Sequence, residues 1–95
     1  MKVTVEFLSL PNVAKMVGGK TIELDFSGTS VNDLVRELAE KYGGDVRRFL
    51  LDETGQLDAS FGLTLNGQEW IRRNQMNRPL REGDKVTILM LVGGG

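Results

Sequence analysis

The chain has 95 residues, with 12 basic and 13 acidic side chains that give a formal net charge of −1. Hydrophobic residues make up 40% of the sequence and charged residues 26%, a mixture typical of one small globular domain. The balanced charge gives no electrostatic reason to expect a nucleic-acid or membrane partner, and the absence of Cys and His excludes disulfides, thiolate nucleophiles, Cys/His metal sites and a histidine base.

The first part of the chain contains two segments of alternating hydrophobicity. Residues 2–8 and residues 21–26 each place their apolar side chains on one face, which is typical of half-buried strands. We expect them to pair as an antiparallel hairpin, with a long loop that bends at Gly18-Gly19.

The segment that follows Ser30 has the pattern of an amphipathic helix. Ser30 can cap the helix, with Asp33 three residues later in a capping-box pattern, and Gly43-Gly44 can end it. The apolar side chains fall on one stripe, which consists of Val31, Leu34, Val35, Leu38 and Tyr42.

Three further strands are expected in the second half of the chain. Asn66-Gly67 is the strongest hairpin signal of the sequence, because both residue types accept the positive φ that a tight turn requires. The last strand is apolar enough to lie at the centre of a sheet. In chain order we expect a short helix near residues 46–50, a strand over residues 61–65, a short strand over residues 68–71 and a strand over residues 85–91.

This order of elements predicts the α+β class, with a mixed sheet of four to five strands and one main helix packed across one face. Residues 1–92 are expected to form the domain, and residues 93–95 a flexible glycine tail. Thr4 and Glu6 interrupt the first apolar residues, and no apolar run approaches the ~18 residues of a membrane helix. We therefore expect a cytoplasmic protein without a signal peptide.

Three motifs suggest chemistry, but ordinary structural roles explain each of them better. Residues 14–21 resemble a phosphate loop, yet a strand pattern follows them where a helix is required. A basic group beside Trp70 favours a solvated loop or an acidic protein partner over a nucleic-acid site, since acidic residues flank it. No two carboxylates are placed across an apolar cleft, so we predict neither an independent enzyme nor a metal site. The basic group consists of Arg72, Arg73, Arg78 and Arg81.

The end of the chain is the most informative motif. Gly93, Gly94 and Gly95 follow directly on an apolar strand. Three residues reach roughly 10 Å when extended, and without Cβ atoms they can pass through a channel that any other residue would block. Such a tail can deliver the α-carboxylate of Gly95 into the active site of another protein. The alternative is a frayed end without a function.

Residues 65–67, residues 80–88 and Gly94-Gly95 follow the pattern of a known family. They resemble the ubiquitin-like sulfur carriers of the MoaD/ThiS type, and the resemblance covers essentially the whole chain. It implies a β-grasp (ubiquitin-like) fold. It further implies that an E1-like adenylyltransferase uses ATP to adenylate Gly95, with Gly94 as the required small neighbour, and that a sulfur donor then forms a thiocarboxylate. A sulfur-accepting enzyme, such as a molybdopterin synthase large subunit, is the implied second partner, and no resident cofactor is implied.

The resemblance leaves the receiving pathway open. Met90-Leu91-Val92 stand where many molybdopterin synthase small subunits carry prolines, and Gly93 lengthens the tail. The length of the chain favours molybdopterin or tungstopterin biosynthesis over thiamin biosynthesis, and a carrier for sulfur amino-acid biosynthesis is a further alternative. Two other hypotheses are a protein modifier, in which the activated Gly95 is transferred to a lysine amine, and an adaptor whose tail has no role.

A docking surface is expected beside the tail. The two faces of the last strand are expected to be Val86, Ile88 and Met90 toward the helix, and Thr87, Leu89 and Leu91 away from it. Leu89 and Leu91 are then exposed, and contiguous exposed apolar surface marks a partner site. Val92 and Gly93 are expected to continue this partner-binding surface. A cover formed by residues 45–60 is the alternative.

Overall fold

The computed structural model describes residues 1–91, which contain five strands and three α-helices. A short 3-10 helix, Arg73–Gln75, precedes the last strand. In chain order the elements are β1 (Lys2–Leu8), α1 (Pro11–Val17), β2 (Thr21–Asp25), α2 (Val31–Tyr42), α3 (Gly44–Leu50), β3 (Phe61–Leu65), β4 (Glu69–Trp70) and β5 (Lys85–Met90).

The strands form one mixed sheet in the order β2-β1-β5-β3-β4. β5 lies at its centre, parallel to β1 and antiparallel to β3, and the two outer pairs are antiparallel. The predicted α+β class, the mixed sheet and the central position of the last strand are therefore confirmed. A parallel pair between the first and last strands requires the whole chain to cross over between them, and α2 lies in that crossover.

One face of the sheet, the inner face, carries the core. Alternation along β1 and β5 directs Val5 and Ile88 into it, and both are fully buried. The buried faces of all three helices belong to the same apolar cluster, so the helices cover only this face. The largest fully buried side chains are Phe7, Phe26, Leu24, Leu34, Leu38, Leu50, Leu63 and Ile88.

The start of α2 follows the predicted capping box. The Asp33 N–H donates to Ser30 Oγ at 3.2 Å, and the Ser30 N–H donates to Asp33 Oδ2 at 3.1 Å. These bonds satisfy two backbone donors that no helical carbonyl can reach. The helix ends at Gly43. Of its apolar stripe, Tyr42 is only partly buried.

The connection between β1 and β2 differs from the prediction. Instead of a plain long loop it holds α1, whose first residue is Pro11, whose last residue is Val17, and which is capped by Gly18. Val13 and Val17, four residues apart, are buried on one side of this helix, and their burial stabilises a segment too short to be helical alone. Gly18-Gly19 is followed by a strand, which confirms that residues 14–21 do not form a phosphate loop.

The β3–β4 turn confirms the hairpin signal, with φ of +55° at Asn66 and +70° at Gly67. The Asn66 side chain also accepts a bond from the Lys85 N–H at 2.8 Å, which ties the turn to β5. β4 has two residues rather than the four expected, because the chain turns into the 3-10 helix soon after Trp70.

Candidate functional site

The other face of the sheet, the outer face, carries none of the helices of residues 1–91 and divides into a polar and an apolar half. In the polar half, the Lys2 ammonium lies 3.1 Å from a Glu23 oxygen. Glu6 accepts from Thr87 Oγ1 at 3.2 Å and lies 3.3 Å from Lys85 Nζ. Partial burial raises the pKa of Glu6, but the bonds from Lys85 and Thr87 together outweigh that effect, so the pKa lies below its usual value.

The apolar half lies at the end of the sheet where β5 finishes. The strand register aligns Leu8, Leu89 and Gly62 in one row across β1, β5 and β3. Leu91 and Trp70 lie over Gly62, since a Cβ built on this glycine would be 2.8 Å from a methyl carbon of Leu91 and 2.8 Å from the Trp70 ring. We name Leu8, Gly62, Trp70, Leu89 and Leu91 the apolar patch.

Three large side chains of the apolar patch are exposed to solvent in the free chain. Trp70 is 57% exposed, Leu91 43% and Leu8 39%. Side chains of this kind that lie next to one another mark interaction surfaces. Because Gly62 has no side chain, Trp70 and Leu91 can lie flat against the strand instead of being pushed apart.

Two parts of the docking prediction need correction. Leu89 is only partly exposed, since Leu8 lies beside it on β1 and the side chains of Leu91 and Trp70 lie over Gly62 on its other side. Met90 does not join the core: it is 48% exposed, since it is the last residue of β5 and lies opposite Phe61 at the end of the sheet. The predicted exposure of Leu91 is confirmed, and the alternative in which residues 45–60 cover it is wrong.

Two of the four basic residues, Arg73 and Arg78, are paired with carboxylates. Arg78 makes two bonds to the Glu69 carboxylate, at 2.7 and 2.8 Å, and this contact lowers the pKa of Glu69. Arg73 binds Asp52 at 2.9 Å. The pKa of Asp52 falls to about 2, chiefly because the Thr54 hydroxyl bonds to its carboxylate, with smaller effects from the Gln56 N–H and Arg73. Exposed pairs of this kind are typical of a solvated loop.

The predicted site residues Val92, Gly93, Gly94 and Gly95 lie outside the described residues. Leu91 is the last residue before them, and its N–H donates to the Ser60 carbonyl at 2.8 Å. Within residues 1–91, no group of three or more acidic side chains is arranged to hold a metal ion. Over the same range, none of the helices has the length and apolar character needed to span a membrane.

A mixed sheet with α2 packed across one face and the first and last strands side by side defines a β-grasp, ubiquitin-like protein. The model of the ThiS family matches residues 12–95. The chain therefore belongs to the ThiS family, as the resemblance to MoaD/ThiS-type carriers predicted.

Three relatives illustrate this similarity. A proposed sulfur carrier protein of Archaeoglobus fulgidus is 28% identical over 74 residues, which are 78% of this chain and 83% of that protein. The small archaeal modifier protein 1 of Methanosarcina acetivorans is 26% identical, with a TM-score of 0.74 over 99% of this chain and 96% of that one. A chain in the Amycolatopsis orientalis BexX/CysO complex, at 23% identity, shares the fold, with a TM-score of 0.70 over 98% and 99% of the two chains.

Proposed function

We propose that this protein is a sulfur carrier that works through the α-carboxylate of Gly95 and has no catalytic activity of its own. The observation that carries the proposal is the position of Leu91. This residue ends the described part of the chain on the exposed apolar patch, and Val92-Gly93-Gly94-Gly95 follow it directly. A partner that covers the patch therefore receives the glycines next to its binding surface.

The proposed chemistry has two steps. An E1-like adenylyltransferase joins the Gly95 carboxylate to the α-phosphate of ATP, which forms an acyl-adenylate and releases pyrophosphate. A sulfur donor, in the simplest case hydrosulfide, then attacks the carbonyl carbon, and AMP leaves with the oxygen it had gained. A carboxylate is a poor electrophile until it carries such a leaving group, and the thiocarboxylate sulfur is afterwards a better nucleophile than the carboxylate oxygen.

The apolar patch is the proposed docking surface for both partner enzymes. We expect the same partners to bind Val92 and Gly93, and we assign Gly94 the role of the small residue that lets Gly95 enter a narrow active site. We assign the accepted sulfur to molybdopterin or tungstopterin biosynthesis in the cytoplasm, with a synthase large subunit as the acceptor. Thiamin and sulfur amino-acid biosynthesis are the alternative destinations.

The experiment that tests this function is ATP–pyrophosphate exchange with the E1-like enzyme of the source organism. The full chain is compared with a variant that lacks Gly95 and with a variant extended by one residue after Gly95. Both variants keep residues 1–91, so circular dichroism should show the same fold. We expect exchange with the full chain alone. Equal exchange by the extended variant would contradict the proposal.

A protein modifier is the second candidate, and the similarity to a small archaeal modifier protein supports it. The same acyl-adenylate would then be attacked by a lysine amine, which forms an amide bond and releases AMP. Expression of an N-terminally tagged chain in its native host separates the two functions. Higher-mass species that disappear when Gly95 is deleted would support the modifier, and their absence in all growth conditions would exclude it.

A further inference from the structure

A groove of about 540 Å³ lies beside the apolar patch, at the β4 side of β3. One wall is the first half of β3, and the other walls are formed by residues 56–59 and residues 70–76. The groove reaches the patch through Gly62, Trp70 and Leu91, which line both features. Its other apolar lining side chains are Leu57, Phe61, Leu63, Ile71 and Met76.

The groove lies where the sheet loses a strand. The Ile71 N–H donates to the Leu63 carbonyl at 2.9 Å, and this is the last bond between β3 and the β4 side. After it the chain turns into the 3-10 helix Arg73–Gln75 instead of continuing along Phe61. β4 is therefore too short to pair with the whole length of β3.

This early turn leaves two backbone groups of β3 without partners in the described part of the chain. Ser60 and Gly62 direct their backbone groups toward β5, as the Leu91 N–H bond to the Ser60 carbonyl and the strand register show. The groups of Phe61 and Leu63 therefore point toward the groove. The Phe61 N–H is taken by the Asp58 carbonyl at 3.0 Å. The β3–β4 register stops at Thr64 and Trp70, and neither that register nor the other backbone bonds of residues 1–91 give the Phe61 carbonyl or the Leu63 N–H a partner.

Backbone groups at the edge of a strand that pair with no neighbouring strand can accept a further strand. A free carbonyl and a free N–H two residues apart on one edge match the spacing of an added β-strand. The edge is thus complementary to the main chain of an extended peptide.

The charges around the groove favour one kind of side chain. Arg73 is occupied by Asp52 and by the Leu57 carbonyl. Arg72 is exposed and forms no ion pair within the described range. Asp58 is the acidic residue on the opposite wall, and it bonds to the Ser60 hydroxyl at 3.4 Å. A carboxylate on the occupant can therefore bind Arg72.

We propose that this groove binds an extended segment of a partner polypeptide, which adds to the sheet beside β3. In the bound state a partner N–H donates to the Phe61 carbonyl, and a partner carbonyl accepts from the Leu63 N–H. An apolar partner side chain packs against Trp70 and Leu91, and a carboxylate binds Arg72. This contact goes beyond the proposed function, because it uses neither the glycine tail nor its activation.

NMR titration of the full-length ¹⁵N-labelled chain tests the proposal. The probe is the blocked peptide acetyl-Ser-Val-Asp-Val-Glu-Val-amide, which alternates apolar and acidic side chains. We expect the largest shift change at the Leu63 amide, because it gains a hydrogen bond, together with slower hydrogen exchange at that amide. The control peptide has the same sequence with N-methylated backbone nitrogens at its four central residues, and it should not bind.

Two charge variants separate this groove from general attraction of an acidic peptide. Arg72→Glu should weaken binding about tenfold, since a charge-assisted bond is replaced by repulsion. Arg47→Glu makes the same change at another exposed arginine, on α3 and outside the groove, and should leave the affinity unchanged. Both side chains are exposed, so neither change is expected to unfold the chain.

Three results would overturn the proposal. The first is a chemical shift of the Leu63 amide that stays unchanged at saturating peptide. The second is an N-methylated peptide that binds as well as the probe, which would mean that the groove does not recognise the main chain. The third is tighter binding of the probe peptide by a variant without residues 93–95, which would mean that the tail of this chain competes with the peptide for the groove. Equal binding by that variant is the expected result, and it would hold even if the sulfur-carrier function failed.

Discussion

Replacing Leu91 by aspartate should abolish productive docking while the chain remains folded. Complete burial of a leucine side chain contributes about 1.5–3 kcal/mol. Since 43% of Leu91 is exposed in the free chain, docking can gain about 1 kcal/mol from it, which is about fivefold in affinity. Leu91→Ala should lose that factor. Leu91→Asp also buries an unpaired carboxylate, which costs about 2 kcal/mol or more, so the total loss is about a hundredfold.

The assay is titration calorimetry or ATP–pyrophosphate exchange with the E1-like partner, accompanied by thermal unfolding of each variant. The part of Leu91 that is already buried should cost folding about 1 kcal/mol when removed, which is a fall in Tm of about 4–8 °C. Met16→Asp is the matched control, because Met16 is 40% exposed on α1 and lies outside the apolar patch. A folded Leu91→Asp variant that binds within twofold of the wild type, or an equal loss with Met16→Asp, would refute the docking surface.

Three further predictions concern the fold. Ser30→Ala removes the cap of α2 and should lower the free energy of unfolding by about 1 kcal/mol in a urea titration; an unchanged midpoint would contradict the capping role. Gly67→Ala forces a side chain into φ +70° and should cost about 1–2 kcal/mol, whereas Gly19→Ala, at a glycine without positive φ, should cost less. For Asp52, the folded-state pKa of about 2 lies below the ordinary value of 3.8, so its stabilisation is present above about pH 4 and is lost as the pH falls toward 2. Asp52→Asn should therefore flatten the pH dependence of stability in that window, and identical slopes for the two proteins would disprove the assignment.

Local signals predict most of the fold. The capping residues Ser30 and Asp33 define the start of α2, and Asn66-Gly67 defines the β3–β4 turn, because each acts through backbone groups a few residues away. Strand alternation likewise predicts which side chains of β1 enter the core. α1 is not predicted, because two buried valines are too few to distinguish a helix from a loop by periodicity. Pro11 and Gly18 are nevertheless residue types typical of the start and the end of a helix.

The candidate site depends on contacts that sequence spacing cannot give. From the sequence, Gly62 is only a residue that destabilises a strand. Its role becomes visible in the structure, where Trp70 and Leu91 lie over it. Leu8 belongs to the apolar patch only because β1 pairs in parallel with β5. This pairing places Leu8 beside Leu89, which lies 81 positions later in the chain. The groove follows from the early end of β4, which is set by the 3-10 helix that begins at Arg73. The glycine tail is the part of the site that the sequence alone proposes.

The most direct test of the sulfur-carrier proposal is an intact mass of the chain purified from its native host or after reaction with its activating enzyme, ATP and a sulfur donor. The expected result is a species in which one oxygen is replaced by one sulfur, and fragmentation should place the change at Gly95. A variant without Gly95, treated in the same way, should keep its original mass. An unmodified Gly95 in a reaction where the enzyme is shown to turn over ATP would contradict the proposal.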